Sequence, residues 1–252
     1  MRLKDFMEDA YQGKTRRRRL QTHRGEVVFG LEDLADRVGE RPHRSQVEEL
    51  VPHDRTLLER LLSERPGRRL RLLWGLVSSI AADSDPSPLR LQEGDYAGLE
   101  LHSGTILLQR GGDHVGEGMR GGRVLVRGPA GDYLGQEMAG GRIAASCCGD
   151  YAFRRMRGGI GVVLGGCGNY LGVGLQDGRI AVRGGCGERA GWMMRGGRVS
   201  IAGDAGDYLG LLMRGGELVV RGRAGRRAGW RRRGGVIRAG GFGPEAAEGV
   251  LG

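Results

Sequence analysis

The sequence predicts an all-β fold, a parallel β-solenoid of about eight coils behind a helical N-terminal region, and three observations predict it. Of 252 residues 51 are Gly and only 7 are Pro, far above the usual ~7% Gly. From Glu93 the chain divides into eight units, 93–110, 111–129, 130–147, 148–166, 167–185, 186–204, 205–223 and 224–242, each 18 or 19 residues long. The units close in stretches such as RVLVR, RIAVR, RVSIA and ELVVR, apolar at alternate positions as for a strand buried on one face. Scarce Pro and the lack of a three-residue period exclude collagen, and regularly placed aliphatic residues exclude a flexible linker. With aromatics at 5%, the core must be aliphatic.

Residues 1–92 carry no repeat. A basic run, TRRRRLQTHR at 15–24, reads as solvated chain. Helical spacing follows in 29–38, in 46–63 with an interruption at Pro52, and in 69–81. RPG at 65–67 and SDPSP at 84–88 are turn and linker signals, so 1–92 reads as one region, 93–242 as the solenoid and 243–252 as a C-terminal tail.

Numbered from the start of each unit, the columns are chemically coherent. Positions 2 and 12 are Gly in every unit, and position 6 is Gly in all but one, where Phe153 stands. Such recurrence serves corners that need φ > 0 and close approach of stacked backbones. Position 9 (Leu101, Met119, Met138, Met156, Leu175, Met194, Met213) and position 14 (Ile106, Val124, Ile143, Ile180, Val199, Leu218, Ile237) are predicted to point inward. Unit 148–166 departs from the frame at Gly161, which predicts a local bulge. A unit this short cannot bury its own apolar face, so equivalent strands must stack. Seven steps of ~4.8 Å make a prism roughly 34 Å tall.

Several chemistries are weighed against this architecture. A dinucleotide site needs one glycine turn between a strand and a helix, whereas here the turn recurs eight times without helices. No phosphate-loop, nucleophile-elbow or metalloprotease motif occurs, the five histidines lack ligand or catalytic spacing, and no catalytic residue is assigned. Cys148, Cys167 and Cys186 share position 1 with Ala and Gly, which predicts a small-residue core ladder; a metal would need a fourth ligand that the column lacks. Position 4 (Tyr96, His114, Tyr133, Tyr151, Tyr170, Arg189, Tyr208, Arg227) predicts a stacked aromatic ladder, with a base-stacking platform as the alternative. Position 3 (Asp95, Asp113, Asp132, Asp150, Asn169, Glu188, Asp207) is expected to cap its own turns, and the calcium-binding nonapeptide pattern is absent.

Charge is the surface feature that invites a function. The formal net charge is +10, and of 40 basic side chains only Lys4 and Lys14 are lysines. Arg120, Arg157, Arg195, Arg214 and Arg233 share position 10, and Arg123, Arg142, Arg179 and Arg198 share position 13, so guanidinium rows run along the prism. The last unit adds Arg226, Arg227, Arg231 and Arg232. The candidate contact set for a partner or polyanion is therefore Arg120, Arg157, Arg195, Arg214, Arg226, Arg227, Arg231, Arg232 and Arg233, the arginines of the last unit being read either as docking face or as solubilising end cap. Four cysteines, no apolar leader and no apolar run near 18 residues predict a cytoplasmic protein without a membrane span.

The phrases GDYLGQEMAGGRIAA (131–145), GNYLGVGLQDGRIAVRG (168–184) and GDYLGLLMRGGELVVRG (206–222) resemble the GXGXG family. The likeness covers about 93–242. It is nearer to the GXGXG subunit of formylmethanofuran dehydrogenase, and to its counterpart in the bacterial formyltransferase/hydrolase complex, than to the C-terminal domain of glutamate synthase. The resemblance implies a right-handed parallel β-helix, itself non-catalytic, packed against catalytic subunits. It also implies one-carbon metabolism of the methanogenesis type as the setting. Any molybdenum or tungsten pterin, iron–sulfur cluster or zinc is expected in those partners, with no cofactor on this chain. Formyl carriers of that chemistry bear polyglutamyl tails, which suggests a carboxylate-rich ligand for the arginine rows; nucleic acid is the less favoured polyanion. Residues 1–92 match neither member.

Overall fold

The computed structural model describes residues 20–21, 27–28, 30–39, 41–51 and 54–250. Apart from Leu20 and Gln21, the basic run at 15–24 lies outside them, as do Phe29, Pro52, His23 and His53. A short antiparallel pair, β1 (Leu20–Gln21) with β2 (Val27–Val28), comes first. Helices α1 (Leu31–Val38), α2 (Arg44–Leu50), α3 (Arg55–Leu62) and α4 (Arg71–Asp83) follow, with a 3-10 turn at Arg68–Leu70 before the last. The segment expected as one interrupted helix, 46–63, forms the end of α2 and all of α3. Asp54 starts the latter, its Oδ1 accepting the N–H groups of Thr56 (2.8 Å) and Leu57 (3.3 Å), which satisfies donors that a helix start leaves free.

The solenoid carries one sheet of nine parallel strands in chain order. These are β3 (Leu89–Leu91), β4 (Thr105–Leu108), β5 (Arg123–Pro129), β6 (Arg142–Cys147), β7 (Ile160–Val163), β8 (Arg179–Val182), β9 (Arg198–Ile201), β10 (Glu217–Ala224) and β11 (Val236–Phe242). The sheet thus begins at Leu89, ahead of the first repeat unit. Positions 9 and 14 are buried as the periodicity predicts, and positions 5 and 16 complete the core, from Ala97 and Leu108 to Ala228 and Ala239.

No bulge occurs at Gly161. It pairs in register with Ile143 on one side and Ile180 on the other. The explanation is an exchange of volume. Phe153 replaces the glycine of position 6, is fully buried, and fills the space that Ile, Val or Leu occupies in other coils; a Cβ on Gly161 would overlap its ring. The register shifts that do occur fall between Val126 and Pro129 and between Val220 and Arg223, each at the end of a strand as the chain leaves for the next corner. The second shift pairs Phe242 with Ala224, so Phe242 already stands at position 1 of a further coil. Residues 242–250 follow the same columns. Arg227 N–H donates to Pro244 O (2.9 Å), Ala247 N–H donates to Ala228 O (2.8 Å), and Glu245 takes position 4 with φ 60°.

At the opposite end, α4 stands in for the coil that is missing beneath the first one. Elsewhere the N–H at position 6 donates to the coil below, as Gly116 does to Ala97 O; Gly98 donates to Ser78 Oγ instead (3.0 Å). Asp83 accepts from the N–H groups of His102 (3.2 Å), Ser103 (2.7 Å) and Gly104 (2.9 Å). Ser79 Oγ donates to Leu99 O (2.6 Å), and Arg44 Nη1 to Glu100 O (2.6 Å). Burial alone would raise the Asp83 carboxyl, but the bonds from Ser103, Arg44 and His102 outweigh it and hold it below the ordinary carboxylate range. Buried backbone edges require such partners.

Candidate functional site: the outer face of the coils

Each coil turns its corner through two overlapping turns, in which the N–H of position 7 donates to the carbonyl of position 4 and that of position 9 to the carbonyl of position 6. This path puts position 4 in the left-handed region. Tyr96, His114, Tyr133, Tyr151, Tyr170, Arg189, Tyr208 and Arg227 all have φ between 54° and 62°. Each such residue costs on the order of 1 kcal/mol, and the stacking of their side chains offsets it. Ring centroids from Tyr96 to Tyr170 are 4.6, 4.7, 5.1 and 4.6 Å apart and nearly parallel. Above Tyr170 the column alternates. The Arg189 guanidinium lies 5.5 Å from the Tyr170 ring and 5.4 Å from the Tyr208 ring, and Arg227 lies 4.6 Å from Trp230. Arg189 donates to Tyr170 Oη and Arg227 to Tyr208 Oη, both at 2.9 Å. Glu245 closes the column by accepting from Arg227 (2.7 Å) and Arg226 (3.2 Å), which hold its carboxyl below the usual range.

Position 3 corrects the expectation of own-turn caps. Asp95 Oδ1 accepts the N–H of Asp113 in the next coil, Asp113 that of Asp132, Asp132 that of Asp150, and Asp150 that of Asn169, at 2.7 to 3.0 Å. The carboxylates therefore tie coil to coil. The invariant glycine of position 2 lies beside this bond, where a Cβ on Gly112 or Gly131 would strike the carboxylate of the preceding coil. The thiols are structural too. Cys148, Cys167 and Cys186 form successive parallel bridges continued by Ala205 and Ala224. The Cys167 thiol is pushed strongly upward by hydrogen bonding to Cys148 and Cys186 and by burial, so it stays protonated and a poor nucleophile. Among the described residues no group of three or more His, Cys, Asp or Glu could hold a metal ion, and no helix is long and apolar enough to cross a membrane.

The predicted arginines separate into two sets. Arg120, Arg195, Arg214 and Arg233 stand at position 10, with Arg231 nearby at position 8, and all five are exposed. Arg157 shares that row but lies 3.6 Å from Glu137. Arg226 and Arg227 are engaged by Glu245, and Arg232 donates to the carbonyls of Gly235 and Gly249; these three seal the end of the solenoid.

Position 7 changes character halfway up. It is the buried Leu99 in the first coil and a bonded polar ladder in the next three: His114 Nδ1 lies 2.6 Å from Glu117, Gln136 donates to Glu117 (3.0 Å), and Arg154 donates to Gln136 (3.0 Å). In the upper coils it is Val173, Trp192, Leu211 and Trp230, flanked at position 8 by Met193 and Leu212. Met193 is 43% exposed, and Trp192 Nε1 is buried without a hydrogen-bond partner. The signal for this stripe is present in that column of the eight units, which the inward and corner columns overshadow. A separate groove of about 780 Å³ lies between α3, β3 and the first coil. Its charges are partly paired with each other, Arg71 with Asp95 and Arg65 with Glu93 (3.4 Å). No family model matches the chain, and no curated protein matches it.

Proposed function

We propose that this chain is a non-catalytic scaffold subunit that holds catalytic subunits of a formylmethanofuran dehydrogenase-type, formyl-transferring complex. One observation carries the scaffold reading: in the repeat columns the carboxylates, thiols and tyrosines are engaged by the frame, while arginines and apolar side chains stand on its outer face. The position-3 carboxylates accept backbone N–H groups, the Cys167 thiol stays protonated between its neighbours, and the tyrosines stack. The type of complex rests on the resemblance of the Gly-Asp-Tyr-Leu-Gly and Met-x-Gly-Gly phrases. The Met and the second Gly belong together physically, because the Met119 methyl lies where a Cβ on Gly141 would sit, and Met138 and Met194 stand in the same relation to Gly159 and Gly216. The cytoplasm is the proposed location.

A glutamate synthase-type assembly is the second reading, favoured by the same repeat. A third is a polyanion binder, favoured by the exposed position-10 arginines, whose ligand in the formyl-transfer setting would be a polyglutamyl tail. Each exposed contact contributes ~0.2–1 kcal/mol, so several arginines must act together. Affinity purification of the tagged full chain from its native cells, with mass spectrometry of what accompanies it, tests the order. Formyl-transfer subunits are the expected companions, and glutamate synthase subunits in their place would reverse the assignment.

A further inference from the structure

We infer that the apolar stripe of the upper coils, together with the arginine row beside it, is the docking face for an acidic protein partner offering an apolar ridge edged by carboxylates. The inference rests on the scaffold reading but not on the kind of complex.

The frame itself does not ask for apolar residues here. At position 8, Glu100 and Glu137 have φ 54° and 55°, matching Met193 at 55° and Leu212 at 54°. A glutamate therefore fits the backbone, so the corner does not itself require an apolar residue at position 8. Met193 is exposed, with Trp192, Leu211, Leu212 and Trp230 half-buried around it, and apolar surface left open on a protein marks an interaction site. Trp, Met and Arg, the residues gathered here, are enriched at the centres of protein interfaces.

Charge identifies the occupant. Arg195, Arg214 and Arg233 stand one above another at position 10 as successive coils stack, since Arg214 N–H donates to Met194 O and Arg233 N–H to Met213 O, both at 2.8 Å. From residue 167 to 241 no acid occurs at positions 7, 8 or 10. A second copy of the chain would bring the same arginine row against this one in a two-fold contact, at electrostatic cost. A simple polyanion would use the arginines and leave Met193, Leu211 and Leu212 without a role.

The test uses the full chain and a synthetic helical peptide with Leu at i, i+3, i+4 and i+7 and Glu on both flanks. Two controls accompany it: the same peptide with Lys for Glu, and oligoglutamate. Two of the three tryptophans lie in the stripe, so intrinsic fluorescence reports occupancy. The acidic amphipathic peptide is expected to shift the emission, and the Lys peptide is not. The protein supplies its own conservative variants. Met193→Glu with Leu212→Glu copies Glu100 and Glu137, and Arg195→Gln with Arg214→Gln copies Gln176. The first pair should weaken binding by about tenfold or more, and the second by several-fold with a flatter salt dependence. Three results overturn the inference: no binding of the acidic amphipathic peptide, equal binding of oligoglutamate, or self-association of the parent that the Glu pair abolishes. Recovery of native subunits from cells is a separate readout, so a failed docking face and a failed complex assignment are distinguishable.

Discussion

Coils 93–166 and coils 167–241 share one backbone frame and display opposite chemistry on it. In the lower half position 4 is a continuous run of rings and position 7 a chain of hydrogen bonds from His114 to Arg154. In the upper half position 4 alternates rings with guanidinium groups, and position 7 is Val, Trp, Leu and Trp. Stacked repeats fix where side chains emerge but not what they are, because inward columns and corners set the fold while outward columns answer to what lies beside them. From His114 to Arg154 the side chains of positions 4 and 7 bond to one another, whereas in the upper half Met193, Arg195 and Arg214 stand open beside position 7.

The largest effects should come from breaking the frame that both halves share. Gly161→Ile forces a side chain into the Phe153 ring, and Phe153→Gly empties the same space; each should cost about 3 kcal/mol or more. The double variant restores the composition of the other coils and should recover most of the loss, read by chemical denaturation. Additive losses would contradict the volume exchange.

Next comes the cap beneath the lower half. Asp83→Ala leaves the N–H groups of His102, Ser103 and Gly104 unsatisfied and should cost about 2–4 kcal/mol at neutral pH. The Asp83 carboxyl is depressed in the folded state, so its contribution is fully present above the ordinary carboxylate range. It fades as pH falls through the lowered folded value. The stability difference between parent and Asp83→Ala should therefore shrink in acid, and a difference that grows in acid would refute the assignment.

Smaller effects distinguish the two halves. Tyr151→Ala removes a ring stacked on both faces and should cost ~1–2 kcal/mol. Arg189→Ala removes a cation between two rings and should cost ~0.5–1 kcal/mol, with more dependence on salt. Least of all, Met193→Glu with Leu212→Glu should change stability by less than about 0.5 kcal/mol. A large loss there, seen as a lowered denaturation midpoint, would show that the stripe serves folding.

Much of this molecule is legible in the sequence, because a period of 18 or 19 repeats each physical constraint eight times. The inward columns, the glycine corners and the stacked position-4 column all follow from that. Gly161 misleads, since a single column cannot show that Phe153 supplies the missing volume. The own-turn role expected for Asp113 is a local reading of an interaction spanning 19 residues, which becomes visible only when coils stack. The cap by Ser78, Ser79 and Asp83 leaves no periodic trace, because it occurs once. Glu245 sits in a partial coil, GPEAAEGV, that keeps the position-2 glycine as Gly243 but has Ala247 and Val250 where the frame has glycine and methionine. The upper stripe stands at positions that vary from coil to coil, and variation down a column is itself the record of what the outward face meets.

On the proposed docking face, the upper half holds the partner and the lower half does not. The most direct test of this division is quantitative recovery of catalytic subunits from native cells with the tagged full chain, compared between Met193→Glu/Leu212→Glu and the equivalent lower-coil variant Glu100→Gln/Glu137→Gln. The upper variant is expected to lose about tenfold or more of the recovered subunits while the lower variant retains them. Undiminished recovery with the upper variant, or loss confined to the lower one, would contradict it.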